Sequence, residues 1–250
     1  MVRSIRHWCL ATRLIEPCID DASKKRIFRV SELGEFLLAD DGWDPYLEDP
    51  ASLWLLHWLL STNPMKAAVW QIILSHYIKP EFTKQDLSQF LQNFAEKNEL
   101  QVSEGTISRD IDCFIRTYLG SQASGGAVME DSFNCPLIEI GLIQSMRDES
   151  LKFVIGPKLS LPAEIFGFAL FEYLQKSGRT NQTMSIHECL YNPGSPGQVF
   201  KLDENSLFEY LERLGTLTEN VVDVDETAGL KQIFFRSSFK SLVLLKKYYS

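Results

Sequence analysis

A chain of 250 residues, 45% of them hydrophobic, can bury a real core and divide into two or more small modules. No apolar run approaches a bilayer-spanning length, no secretion leader opens the chain, and five scattered cysteines lack disulfide-framework spacing, which argues for a cytoplasmic protein with reduced thiols. A formal charge of -8 excludes a protein that coats nucleic acid indiscriminately.

That charge is segregated. Residues 1–30 carry seven Lys/Arg against three acids, and residues 230–250 carry five bases and no acid. Residues 31–60 hold seven acids and no base. Basic ends can meet a polyanion while the middle repels it or meets a protein.

The opening MVRSIRHWCLATRLI reads as a helix with Val2, Ile5, Trp8 and Cys9 as its apolar stripe and Arg3, Arg6, His7 and Arg13 largely off it. A short polar turn between two hydrophobic segments follows, then a helix start at Ser31. Gly42, Pro45 and Pro50 forbid a long helix through DDGWDPYLEDP; the next helix begins after Pro50, capped by Asp49 or Ser52, and ends at Asn63-Pro64. Three of the five tryptophans fall near this junction, and Trp43, Tyr46, Trp54 and Trp58 are expected to pack modules together or face a partner. A further helix is expected from Met65 to about Ile78.

From Phe82 the pattern is three-part. Helices opened by Thr83 and Ser103 follow the one before them, and the last exposes Ser108, Arg109, Asp112 and Arg116. That arrangement matches a helix-turn-helix core. SQASGGAV reads as a link, and EDSFNCPLIEIGLIQ with LKFVIGPK as a strand-rich wing or bridge. After Leu161-Pro162 the pattern returns: AEIFGFALFEYLQKS, TMSIHECLYN and a helix capped by Asp203, then a hairpin turning at Ala228-Gly229 and a basic, apolar tail.

The fold class expected is mainly α with short β-hairpins, as tandem winged helix-turn-helix-like modules joined by a Trp-rich helical segment. The divisions are a partial N-terminal winged-helix remnant at 1–38, a Trp-rich acidic segment at 39–80, a central module at 81–160 whose first helix starts near 65, and a C-terminal module at 161–250.

Little in the chain carries catalytic chemistry. His7, His57, His76 and His187 are far apart, with no HExxH and no CxxC, so no metal site is expected; His57, between two tryptophans, reads as a satisfied interfacial histidine. The carboxylates Asp40, Asp41, Asp44, Glu48 and Asp49 do not fit a calcium loop and read as caps and turn bonds. No phosphate-cradling glycine motif is present. No catalytic residue and no cofactor are assigned.

The DNA-contact candidates are Arg3, Arg6, His7 and Arg13 in the first helix and Thr106, Ser108, Arg109 and Arg116 in the central module, where Asp110 and Asp112 offset the arginines. In the C-terminal module Glu209 and Glu212 make the third helix acidic, and Lys231, Arg236 and Lys240 compensate from the hairpin and tail.

Six segments together, MVRSIRHWCLA, LGEFLLADDGWDPYLEDPASLWLLHWLL, GTISRDIDCFIRTY, EDSFNCPLIEIGLI, SLPAEIFGFAL and YNPGSPGQVFKLDENSL, resemble one bacterial family, the domain of unknown function 4007. The resemblance covers essentially the whole chain. Family members begin some tens of residues earlier, so it implies that the first helix-turn-helix lacks its front half here. Genes of the family often lie beside those for DNA sulfur modification and phage defence, which implies a role around modified DNA.

The functional expectation is a non-catalytic DNA-binding or DNA-sensing accessory protein of such a system. Its partners would be duplex DNA or proteins of the modification or defence complex, with a homodimer open and no membrane. The alternatives are an interaction adaptor without DNA contact and an enzyme subunit with an unrecognised site.

Overall fold

In the computed structural model, residues 2–21, 24–120, 135–147, 150–177, 183–227 and 230–250 are described; helices dominate, with short antiparallel strand pairs between them. Helix α1 (Val2–Ala11) is followed by a two-stranded hairpin, β1 (Ile15–Ile19) and β2 (Arg26–Val30), in the register Ile15↔Val30 to Ile19↔Arg26. Ser31 then caps α2 (Glu32–Leu38) by accepting from the Gly34 amide. A Cβ on Gly34 would lie 2.2 Å from the Leu14 carbonyl oxygen, so glycine alone lets α2 pass this close to the hairpin.

The acidic loop that follows uses its carboxylates locally. Asp44 accepts from the amides of Glu48 (2.9 Å) and Asp49 (3.0 Å), and Asp49 caps α3 (Pro50–Ser61) at the Ala51 amide. Every residue of α3 from Ala51 to Ser61 is buried, which makes it the central rod of the molecule. Both of its indoles are satisfied: Trp54 Nε1 donates to Ser160 and Trp58 Nε1 to Glu172, each at 3.0 Å. The helix expected from Met65 is shorter, α4 (Ala68–His76), because Pro64 to Lys66 form a turn first.

Two segments share one order of elements. The first runs α4, β3 (Glu81–Phe82), α5 (Lys84–Lys97), α6 (Glu104–Leu119), β4 (Ile143–Ser145) and β5 (Leu151–Phe153), with strand order β3-β5-β4. The second runs α7 (Ala163–Lys176), β6 (Thr183–Ser185), α8 (Ile186–Tyr191), an added α9 (Pro196–Phe200), α10 (Glu204–Leu217), β7 (Val222–Thr227) and β8 (Leu230–Phe235), with strand order β6-β8-β7. In each, the strand before the helices pairs with the last strand and leaves the middle one at an edge.

Three expectations need adjusting. Pro136–Ile140 is a 3-10 turn, with Leu137 and Ile140 buried three residues apart, where a strand was expected. The proline-punctuated NPGSPG reads from its residues as a turn, yet it opens a helix, because Ser195 caps α9 by accepting from the Gln198 amide. Thr183–Ser185 of the expected short helix is a strand that precedes it. The SQASGGAV link and the Ala228-Gly229 turn lie outside the described residues.

The buried apolar side chains form one cluster that runs from Ala11 to Leu245. Helix α11 (Leu242–Tyr248) closes it, burying Leu244 and Leu245. The tail thereby returns to the acidic block. Tyr249 stacks on Trp43 at 4.9 Å, Trp43 stacks on Phe36 at 5.1 Å, and the Lys246 ammonium sits over Phe36. Tyr248 donates its hydroxyl to Asp49, and Tyr249 shares a 2.8 Å hydrogen bond with Ser52. Among the described residues, no helix is long and apolar enough to cross a membrane.

Candidate nucleic-acid interface

Helix α1 is fastened at its C-terminal end. Asn63, from the Asn-Pro that terminates α3, donates to the carbonyls of Leu10 (3.1 Å) and Ala11 (2.9 Å), which the helix leaves without internal partners. The N-terminal half projects: Arg3, Arg6 and His7 are exposed, and so are Val2 (79%) and Ile5 (56%) of the expected apolar stripe. Only the later turns of α1 pack, with Trp8 edge-on to Trp70 at 5.5 Å. Arg6 lies over the ring of Phe28 on the hairpin.

Arg13, expected among the DNA contacts, is a correction. It adopts a left-handed φ of 58° and turns inward. Its guanidinium reaches both Glu172 oxygens (3.1 and 3.3 Å) and the Thr62 carbonyl (2.9 Å). Glu172 also accepts from Trp58 and Lys176. Burial would raise its carboxyl, but the cations of Arg13 and Lys176 hold it below the usual carboxylate range. Arg13 therefore fixes the N-terminal segment to α3 and α7, with both terminal guanidinium nitrogens engaged.

Helix α6 buries Ile107, Ile111, Phe114, Ile115 and Tyr118 and turns Ser108, Arg109 and Arg116 outward. Ser103 caps it at the Thr106 amide, and the Ser103 and Thr106 hydroxyls bond each other at 2.9 Å, so Thr106 serves the cap. Arg109 spans back to the Gly105 carbonyl at 3.0 Å. Asp112 is taken by Lys84 at 2.6 Å, which removes one of the two acids opposing the arginines. The other, Asp110, is pushed up by burial, against the opposing pull of Arg109 and His7.

His7 acts on the Asp110 carboxyl, and one cavity joins the later turns of α1 to α6. Arg3, Arg6 and His7 thus project from a helix whose later turns border α6, which carries Arg109 and Arg116. A surface-open cavity of about 510 Å³ separates the two helices, with Trp8 and Thr12 on one wall and Cys113, Arg116 and Thr117 on the other. Burial pushes the Cys113 and Cys135 thiols up, so neither is an activated nucleophile.

The C-terminal candidates sit differently. Lys231 pairs with Glu204 at 3.1 Å and covers Phe208, and Arg236 pairs with Asp223 at 2.5 Å. Lys240 is exposed. Of the tryptophan-block residues, Trp54 and Trp58 are buried, Trp43 stacks between Phe36 and Tyr249, and Tyr46 is 84% exposed, which leaves it only the partner-facing half of the expectation.

His57 is fully buried between α6 and α9. Its Nε2 donates to the Val199 carbonyl (3.1 Å), its Nδ1 accepts from the Tyr118 hydroxyl (2.8 Å), and burial lowers it to about 4. It is a neutral structural group. Sequence reasoning missed two buried lysines nearby. Lys201 has a left-handed φ of 56°, donates to the Leu74 carbonyl at 3.1 Å and sits over the Phe153 ring; burial and the charge of Lys158 lower it to about 7. Lys158 donates to the Val154 carbonyl and is lowered by burial to about 8. Neither position differs in local sequence from a surface lysine. Among the described residues, no three His, Cys, Asp or Glu side chains converge as metal ligands.

Two solved structures resemble the whole chain: one described as the SspB crystal structure (29% identity, TM-score 0.87) and one as magnesium ion-bound SspB (29%, TM-score 0.86). Each covers 100% of this chain and is itself covered over 75% of its length. No curated protein matches. The chain belongs to the family described as protein of unknown function (DUF4007), which matches residues 1–249.

Proposed function

We propose that this protein is a non-catalytic, cytoplasmic DNA-binding or DNA-sensing accessory component of a bacterial DNA-modification or phage-defence system. One observation supports the reading: Arg3, Arg6, His7, Arg109 and Arg116 are all exposed, on two helices that border one cavity. No carboxylate among the described residues forms an ion pair with any of these four arginines. Such side chains suit phosphate oxygens, with arginine able to reach a guanine edge.

We also infer that the segments from α4 to β5 and from α7 to β8 are winged helix-turn-helix units, with α6 and α10 as their third helices. The repeated strand order supports this, as does the paired hairpin after each third helix. The expected division at about residue 160 falls between β5 and α7. Within this reading α6 faces DNA and α10, with Glu209 and Glu212 exposed, faces protein.

The relative crystallised with magnesium raises the matter of a metal. A magnesium ion keeps several waters and needs few carboxylates, but Asp44 and Asp49 are committed to loop amides and Tyr248, and among the described residues no three His, Cys, Asp or Glu side chains converge. We derive no step through a metal.

A gel shift with plain and phosphorothioate-bearing duplexes at two salt concentrations tests the binding. Retarded complexes that weaken steeply with salt are expected. Absence of any retarded complex at low salt would leave only the adaptor role. Supercoiled plasmid incubated with the protein and magnesium should stay supercoiled; relaxed circles would overturn the non-catalytic assignment.

A further inference from the structure

The cavity between α1 and α6 has a chemistry of its own. Its volume of about 510 Å³ is within the range of small-ligand sites. The Trp8 indole and the side chains of Leu56, Leu60 and Leu137 make its walls mostly apolar. Two hydroxyls line it as well. Thr12 donates to the Trp8 carbonyl and Thr117 to the Cys113 carbonyl, each at 2.8 Å, so both offer only lone pairs to a guest. Among the described residues, Arg116 is the one cation of the lining. The guest that suits this set has flat apolar faces, N–H donors at its edge and an anion beside it.

We propose that this cavity receives one nucleobase turned out of the stack of a bound strand, with its phosphate at Arg116. The proposal rests on the DNA reading above and adds a substrate class to it: DNA that surrenders a base, such as a bulge, a gap or a single strand. Charge complementarity favours this occupant over an uncharged apolar one. Arg3, Arg6 and His7 stand on the helix of one wall, and Arg109 lies on the stripe that continues through Cys113 and Arg116 at helical spacing on the other. A strand tracking these cations passes over the mouth. The two thiols stay protonated, so they add no negative charge against the phosphate.

The test measures affinity of the whole chain for a short matched duplex and for the same duplex carrying one extrahelical nucleotide. Stacking of a base on an aromatic wall predicts at least about fivefold tighter binding of the bulged duplex. Cys113→Phe fills the cavity and should bring the bulged duplex down to the affinity of the matched one. With 5-iodouracil as the extrahelical base, photocrosslinking followed by peptide mapping should place the adduct at Trp8 or another cavity wall, which keeps the test valid should the variant fold poorly. Equal affinity for both duplexes, or adducts elsewhere, would overturn the base pocket and leave the DNA reading standing. No binding of either duplex would overturn both.

Discussion

The two ends of the chain are both basic, and the structure treats them oppositely. At the N-terminal end Arg3, Arg6 and His7 project from a helix tied down only at its far end, with the guanidinium of Arg6 resting on an aromatic ring. At the C-terminal end Lys231 and Arg236 are paired with carboxylates, Lys246 covers Phe36, and Lys247 donates to the Leu217 carbonyl. One set of cations is available to a ligand; the other is largely taken up by partners in its own C-terminal segment, with Lys246 reaching across to the acidic block. Segment charge measures how many cations are present. Their partners decide how many can act.

The sharpest way to break this contrast is to remove each set and measure duplex affinity at low salt. Replacing Arg3, Arg6 and Arg109 by alanine should cost about a hundredfold or more and flatten the salt dependence by two to three log units per log unit of salt, at about 0.9 for each lost phosphate contact. Replacing Lys231, Arg236 and Lys240 should cost less than about threefold. Equal losses from the two triple variants would erase the distinction between the ends.

Within the N-terminal end itself, Arg13 and Arg3 should separate by stability. Arg13→Ala leaves Glu172 with a weaker set of partners and should cost about 2 kcal/mol, a fall in Tm of roughly 4–8 °C. Arg3→Ala should stay within about 0.5 kcal/mol. Calorimetry that ranks them the other way would contradict the inward placement of Arg13.

A smaller effect tests the joint that both ends border. Lys201 is near 7 in the folded state against 10.5 in the unfolded chain, and Lys158 near 8 against the same 10.5. Between those values the unfolded chain binds more protons, so stability should rise with pH from about 7 to 10.5 and be lost as pH falls. Lys201→Met should flatten that rise in a Tm-versus-pH series; a wild-type Tm that falls across the window would contradict it. Smallest of all, Tyr249→Phe keeps the stack on Trp43 and loses the bond to Ser52, for about 1 kcal/mol by denaturant titration.

What could be read from residues alone was whatever depends on near neighbours. Thr83, Ser103 and Asp203 mark their helix starts because an N-cap acts over two or three residues, and each caps as expected. The loop acids around Asp44 were legible for the same reason. Pro136–Ile140 was not, since apolar spacing in so short a run fits a strand or a 3-10 turn equally. Lys201 was hidden because the groups that bury it, Leu74 and Phe153, come from distant elements. The candidate interface was legible as arginines on two helices and illegible as one site, because nothing in either helix records that both border one cavity.

The fastening of α1 by Asn63 and Arg13 has a mechanical consequence. Ten residues make a rod about 15 Å long, and its anchors lie at or just beyond one end. α1 is a cantilever. A pull on Arg3 is delivered as torque to its root, where Asn63 meets the end of α3 and Arg13 meets Glu172 of α7. A load taken up at the tip is thus felt first by the two helices on which the rest of the molecule is built.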